Sequence, residues 1–346
     1  MSLNWPEVLA RLSQRQPLTE TEAADTLRVV LAGDATPAQI GAFLTLLHAK
    51  GETSEEVTGL ARAMVDAAVP CPLGTDESTV VVDLVGTGGD RLASINVTTL
   101  AAFITAGAGV PVCKHGNRAA SSSVGTADVL EALGVAIEIG PEGVARCVRE
   151  AGMGFCFAQR FHPAMRFVGP VRKEVGVPTV FNFLGPLANP SRVRRQVVGV
   201  SDPAMADKMV GVLRANGATH TLIVFGHDGL DELTTTDTST VLEYHDGDLR
   251  TYVVDPIELG LTRAASSDLV GAEAPRNAEL ARRVLGGEKG PHRDIVILNA
   301  AAGIVAAGQA VDLVDGLIKA ADAIDGGEAE RALLRLAEVS RAESGR

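Results

Sequence analysis

Two short stretches of this chain gather anion-holding groups. Gly86-Thr87-Gly88-Gly89-Asp90 follows an apolar run and precedes a helix expected to start near Asn96. Glycine has no side chain, so backbone N–H groups there can approach an anion closely, and the helix start adds the positive end of its dipole. Lys114-His115-Gly116-Asn117-Arg118 places cations and donors ahead of the hydroxyls of Ser121, Ser122 and Ser123. Two such loops suit one ligand bearing several phosphates. The first is neither the dinucleotide G-x-G-x-x-G pattern nor a Walker-type loop, since no Gly-Lys-Ser/Thr follows it.

Other charged groups are less specific by themselves. Asp231-Glu232 alone reads as an exposed acidic turn, and Arg172-Lys173 as a solvated helix face. A strand at 221–225 running into 226–230 is what aims the two carboxylates at a ligand. His115 alone reads as a loop brace, His162-Pro163 as a brace at a helix start, and Asp83, inside a strand, as an anchor for loop backbone.

The elements that position these groups can be read from periodicity. Residues 1 to about 70 form helices, with starts at Thr19-Glu20-Thr21-Glu22, Thr36-Pro37 and Thr53-Ser54-Glu55-Glu56, and with Ile40, Phe43, Leu44 and Leu47 at helical spacing. The proline-bearing segment 70–78 marks a boundary. Strand-like runs then alternate with helices at 80–85, 110–113, 136–139, 154–158, 197–200 and 221–225. Residues 241–244 and 249–254 flank a hairpin turn at His245-Asp246-Gly247-Asp248, and alanine-rich helices begin near Asn277, Asp294 and Val311. The expected fold class is α/β: a small all-helical domain plus a large α/β domain with a mainly parallel central sheet flanked by helices. Both glycine-bearing loops then lie beyond the carboxyl ends of strands, where such folds bind ligands.

With 31 Lys and Arg against 43 Asp and Glu, the net charge of −12 argues against a general nucleic-acid or anionic-membrane surface. A polyphosphate ligand therefore needs local cations or a divalent metal. The N-terminal residues lack a basic segment followed by an apolar core, and no apolar run is long enough to span a membrane. Cys71, Cys113, Cys147 and Cys156 show no C-x-x-C spacing, which reads as four free thiols in a reducing cytoplasm.

The motifs together carry a resemblance. GTGGD at 86–90, NVTT at 96–99, KHGNR at 114–118, TADVLEALG at 126–134, FAQRFHPAM at 157–165, VRKEVG at 171–176, FNFLGPLANP at 181–190 and GLDEL at 229–233 occur in one order over most of the chain. In this the chain resembles the anthranilate phosphoribosyltransferases of tryptophan biosynthesis. The resemblance implies transfer of the 5-phosphoribosyl group from phosphoribosyl pyrophosphate to the amino group of anthranilate. It implies a helical domain of residues 1–72, joined in space by about 163–190, hinged to an α/β domain of 76–162 and 191–346. It also implies a cytoplasmic homodimer associating through the helical domain, with no nucleic-acid or membrane partner.

Carried over by position, Lys114 and His115 are the catalytic residues. Phosphoribosyl pyrophosphate falls to Gly86, Gly89, Asp90, Ser94, Asn96, Val97, Thr98, Thr99, Lys114, Arg118, Ser121, Ser122 and Thr126. Anthranilate falls to Gly86, His115, Asn117, Arg172, Gly185 and Pro186, with the Arg172 fork matched to its carboxylate. Mg2+, two ions per active site, falls to Thr98, Asp231 and Glu232, whose oxygens suit a hard cation. Ser94, Thr98 and Thr126 exchange one hydroxyl residue for another relative to the commonest family pattern, whereas Ser123, Val124 and Pro178 depart from it and bear on loop closure and the shape of the anthranilate entrance. Two rivals share the scaffold: a pyrimidine nucleoside phosphorylase, and a non-catalytic nucleic-acid-binding relative.

Overall fold

Three threonines start three N-terminal helices in the same way. Thr19, Thr36 and Thr53 each accept a hydrogen bond from the third backbone N–H of the helix, while the side chains of Glu22, Gln39 and Glu56 accept one in return from the cap residue's N–H. With α1 (Trp5–Ser13), the helices α2 (Glu20–Ala32), α3 (Pro37–Lys50) and α4 (Ser54–Asp66) make the helical unit. The computed structural model describes residues 3–74, 80–89, 94–119 and 124–345.

Beyond residue 80 the chain builds a seven-stranded sheet in the order β3-β2-β1-β4-β5-β6-β7. The strands are β1 (Val82–Gly86), β2 (Val112–Gly116), β3 (Met153–Phe157), β4 (Arg195–Gly199), β5 (His220–Gly226), β6 (Ser239–His245) and β7 (Asp248–Val254). β1 to β5 pair parallel, while β6 and β7 add an antiparallel hairpin whose turn puts Asp246 and Gly247 at positive φ, 47° and 107°. The order reverses between β1 and β4, and α/β sheets open a crevice at such a reversal.

Residues alternate between the two faces of the sheet, each face with its own core. Leu84, Val197, Leu222 and Val224 join α5 (Val97–Gly107), and with it α6 (Thr126–Ala132) and α7 (Pro141–Ala151). Val85, Val198, Ile223 and Leu242 face the other way, into a core shared with α1 to α4. That second core also takes in Val171 of α9 (Gly169–Val175), Phe181 and Leu184 of α10 (Phe181–Leu184), and Met209 of α11 (Ala206–Ala215); the short α8 (Ala158–Phe161) leads into this region. The alanine-rich tail becomes α12 (Ala274–Leu285), α13 (Pro291–Ala306), α14 (Leu313–Asp325) and α15 (Glu328–Ser344) on the first face.

The strand expected at 136–139 does not form. Its apolar residues Ile137 and Ile139 are buried, which imitates a strand pattern, but the Ala136 N–H donates to Ser340 Oγ on α15 at 3.0 Å and no neighbouring strand pairs with it among the described residues.

Candidate functional site

The first glycine-bearing loop is shaped by close approach to a second segment. Gly88 and Gly89 take φ of 69° and 87°, where a side chain is strained, and the Gly88 N–H donates to Asp231 Oδ2 at 2.7 Å. A Cβ on Gly86 would lie 2.3 Å from that oxygen, and one on Gly199 only 1.5 Å from the Asp231 carbonyl oxygen. The ends of β1 and β4 thus converge on Asp231, which follows the turn at the end of β5. Asn299 of α13 holds the residue after the carboxylate pair from behind, accepting from Leu233 N at 3.0 Å and donating to Leu233 O at 2.8 Å.

Asp231 and Glu232 are buried, at 4% and 8% exposure, rather than forming an exposed acidic turn. Burial raises the Asp231 carboxyl above its usual range. Lys114, 1% exposed, extends from β2 beneath the loop, donating to Leu84 O and, at 3.4 Å, to Thr98 Oγ1. Burial lowers its ammonium, opposed by the charges of Asp83, Glu232 and Asp231. Asp231, Glu232 and the Thr98 hydroxyl line the same cavity as this ammonium. A hard divalent cation suits that donor set.

Behind the second loop, Asp83 acts as the backbone anchor expected of it. Its Oδ1 accepts from His115 N at 3.2 Å, and its Oδ2 from Asn189 Nδ2 at 2.8 Å. His115 Nδ1 lies 3.1 Å from Gly185 O. A carbonyl only accepts, so Nδ1 carries the proton and Nε2 keeps its lone pair; this buried atom has no hydrogen-bond partner among the described residues. Burial holds the ring down at about 3, helped by His162, so it is neutral at physiological pH. The His162 ring lies 5.0 Å away, also buried with its Nε2 unpartnered among the described residues, and burial holds it down at about 4.

Across the opening, Arg172 has one weak fixed partner, Asn182 Oδ1 at 3.3 Å, and rests over the Phe181 ring with Cζ 5.3 Å from its centroid. No carboxylate pairs with it among the described residues. Burial lowers its guanidinium from the usual value. Such a cation is suited to receive an anion.

These groups line one cavity of about 500 Å³ between the sheet edge and the helical side. Of the residues expected at the site, it brings together Gly86, Gly89, Ser94, Asn96, Thr98, Lys114, His115, Asn117, Arg118, Thr126, Arg172, Gly185, Pro186, Asp231 and Glu232. Val97 and Thr99 do not line it: the Val97 side chain is in the core, and Thr99 Oγ1 donates to Thr126 Oγ1 at 3.3 Å. Asp90, Ser121 and Ser122 lie outside the described residues. Arg118 reaches the lining but is clasped by Asp128 at 2.8 Å and Glu131 at 2.5 Å. Asn96 braces its surroundings, donating to Val124 O at 3.2 Å and accepting from Asn277 at 3.1 Å. Met64, Gln159, His162 and Met165 are not among the ligand contacts expected from sequence, yet all line the cavity. Gln159, His162 and Met165 fall in the FAQRFHPAM stretch, where only His162 has a reading of its own, as a brace at a helix start, and Met64 carries no sequence signal.

Comparison with known proteins gives consistent results. Residues 6–68 match the helical bundle domain of a glycosyl transferase family, and residues 78–330 match its a/b domain. An anthranilate phosphoribosyltransferase from Salinispora arenicola is 50% identical over 345 residues, covering 98% of this chain and 97% of the relative. The crystal structure of the Thermus thermophilus anthranilate phosphoribosyltransferase superposes with a TM-score of 0.90 at 43% identity, covering 96% of this chain and 99% of that one. The Saccharomyces cerevisiae enzyme in complex with PRPP and Mg gives 0.88 at 27% identity, covering 98% of each chain. Its complex with 4-fluoroanthranilate gives 0.86 at 26% identity, covering 98% and 99%.

Proposed function

The chain belongs to the anthranilate phosphoribosyltransferases of this glycosyl transferase family, and from that premise we infer that it transfers the 5-phosphoribosyl group of phosphoribosyl pyrophosphate to the amino group of anthranilate. The observation that carries the reading is one cavity with a glycine-bearing loop, a buried lysine and paired carboxylates on the sheet side, and, on the helical side, an arginine without a carboxylate partner among the described residues. The first set suits a magnesium diphosphate, the second an aromatic carboxylate.

In the reaction the bond between the anomeric carbon and pyrophosphate breaks with its electron pair leaving on the phosphate oxygen. The amine lone pair forms the new carbon–nitrogen bond, and the nitrogen then sheds a proton. Lys114 and the loop amides stabilise charge developing on the leaving group. Thr98, Asp231 and Glu232 would hold Mg2+, two ions in our reading, and magnesium supplies neutralisation of diphosphate charge when bound. Arg172 takes the anthranilate carboxylate through paired donors. His115 Nε2 accepts a hydrogen bond from the amino group and orients it. The aromatic amine already has a free lone pair, so prior proton removal is unnecessary.

Residues 1–72 and about 163–190 then act as one body, hinged to 76–162 and 191–346, and supported by the core that α9 and α10 share with α1 to α4. Closure would exclude water from the reactive sugar. Homodimer formation through the helical domain and a cytoplasmic location belong to the same reading. No helix among the described residues is long and apolar enough to cross a membrane.

The test is a substrate panel. Phosphoribosyl pyrophosphate, anthranilate and Mg2+ should give phosphoribosyl anthranilate, whereas uridine or thymidine with phosphate should give no free base. Phosphorolysis without anthranilate turnover would favour the nucleoside phosphorylase reading, and tight single-stranded DNA binding at physiological salt with no turnover the binding-protein reading.

A further inference from the structure

Cys71, Cys113 and Cys156 are far apart in sequence, yet the fold brings them to one point. Cys71 lies in the connection leaving the helical unit, Cys113 on β2 one residue before Lys114, and Cys156 on β3. All three are buried and their Sγ atoms lie within 4.8 Å of one another, with Cys113 and Cys156 at 3.7 Å. Three thiolates each about 2.3 Å from one ion sit about 4 Å apart. The triangle therefore has the spacing of a coordination site, while a disulfide needs its sulfurs at about 2.05 Å.

A buried thiol can simply pack as a small apolar group, and Cys147, buried on α7 and outside the triangle, is such a case. Convergence of three sulfurs sets the others apart, as does their setting. The Cys71 thiol, in its protonated form, donates to Pro141 O at 3.8 Å in the first turn of α7, a contact that metal binding would replace with a metal–sulfur bond. Hydrogen bonds from Cys113 and then Cys156 hold the Cys71 thiol well below its usual range. Cys156, through the other two thiols and burial, and Cys113, despite a lowering contact with Cys156, through Cys71 and burial, are pushed well above theirs, so the convergence of the three sulfurs is what marks the site.

We propose that Cys71, Cys113 and Cys156 form a three-thiolate site for one soft, thiophilic d10 metal ion, separate from the magnesium carboxylates. All-sulfur ligation selects such ions over hard cations. Counted from the thiol forms, a divalent ion forms three metal–sulfur bonds, three S–H bonds break, and three protons leave to solvent, giving a complex of charge −1. A bound ion ties the connection from the helical unit to β2 and β3, with Cys113 next in sequence to Lys114.

The experiment titrates the reduced full chain with Cd2+ under anaerobic conditions, with Mg2+ in excess to fill oxygen sites. A sulfur-to-cadmium charge-transfer band should saturate at about one ion per chain, in keeping with a single three-sulfur ligand set. Cys71→Ala should weaken binding by at least about a hundredfold, since even outer-shell changes cost roughly 10–100-fold, and Cys147→Ala should leave it unchanged. On the wild type itself, bound Cd2+ should protect Cys71, Cys113 and Cys156, and not Cys147, from alkylation in mild denaturant, read by peptide mass spectrometry. No band at one equivalent, an undiminished band in folded Cys71→Ala, or protection that does not follow the triad would overturn the proposal.

Discussion

His115 shows how an identity can be legible in sequence while its chemistry is not. The KHGNR stretch announces donors and cations, but only the Gly185 carbonyl fixes the ring tautomer and turns Nε2 into an acceptor. Nor can sequence show that Arg118 is clasped by Asp128 and Glu131, or that His162 stands 5.0 Å from His115, because both depend on chain crossings. On this account His115→Asn keeps substantial turnover; a loss beyond about a thousandfold with substrate binding intact would point to proton transfer, which typically contributes roughly 10²–10⁴-fold. Arg172→Ala should raise the KM for anthranilate by about tenfold to a hundredfold or more, from roughly 1.5–3 kcal/mol for a charged hydrogen bond, and leave that for phosphoribosyl pyrophosphate nearly unchanged. Steady-state kinetics with each substrate varied checks this, and equal shifts in both constants would contradict it. The His115 ring, held down at about 3, also predicts a pH effect on stability. Below about 6.5 the unfolded chain takes up a proton that the folded ring refuses, so stability falls as pH falls. Asp83, pushed up to about 6 by burial, acts in the opposite sense between about 4 and 6. Comparing wild type with His115→Gln removes the histidine's contribution: from pH 7 to 5 the wild type should lose about 2 kcal/mol relative to the variant in urea unfolding, and parallel curves would be the contrary result.

At the scale of elements, most of what positions the site is readable in the sequence. The three capping boxes, the alternation of strand and helix, and the hairpin turn all follow from local rules that the chain obeys. The run at 136–139 fails as a strand because alternating burial there is satisfied by packing and by Ser340 on α15, a partner 204 residues away in sequence. Equally hidden is the convergence of β1 and β4 on Asp231, where Gly199 looks like any glycine ending a strand. Its absent side chain makes room for the Asp231 carbonyl, which a Cβ would meet at 1.5 Å. Gly199→Ala should therefore displace the Asp231-Glu232 segment, raising the magnesium concentration needed for half-maximal rate while leaving far-UV circular dichroism unchanged. A variant with unaltered magnesium dependence would mean that the segment does not hold the metal.

For the whole molecule, composition limits the class of partner, and the −12 net charge is offset at the cavity by a few local cations. Folding brings Lys114 within the influence of Asp83, Glu232 and Asp231, and puts the last two carboxylates in the cavity with it, where a divalent ion would find oxygen ligands. Replacing Asp231 and Glu232 together with Asn and Gln should preserve the fold and lose activity at low magnesium, with partial recovery as magnesium is raised; wild-type rates across that titration would remove the metal assignment. Joining of the 163–190 segment to the helical unit is implied by resemblance and not by periodicity, since its helices are short and its contacts lie across the chain. The most direct test of the account is to follow anthranilate fluorescence and pyrophosphate release in one reaction with phosphoribosyl pyrophosphate and Mg2+. The account predicts that both proceed together, one pyrophosphate for each anthranilate consumed, and that omitting anthranilate stops both; pyrophosphate released without loss of anthranilate, or no change in either with folded protein, would contradict it.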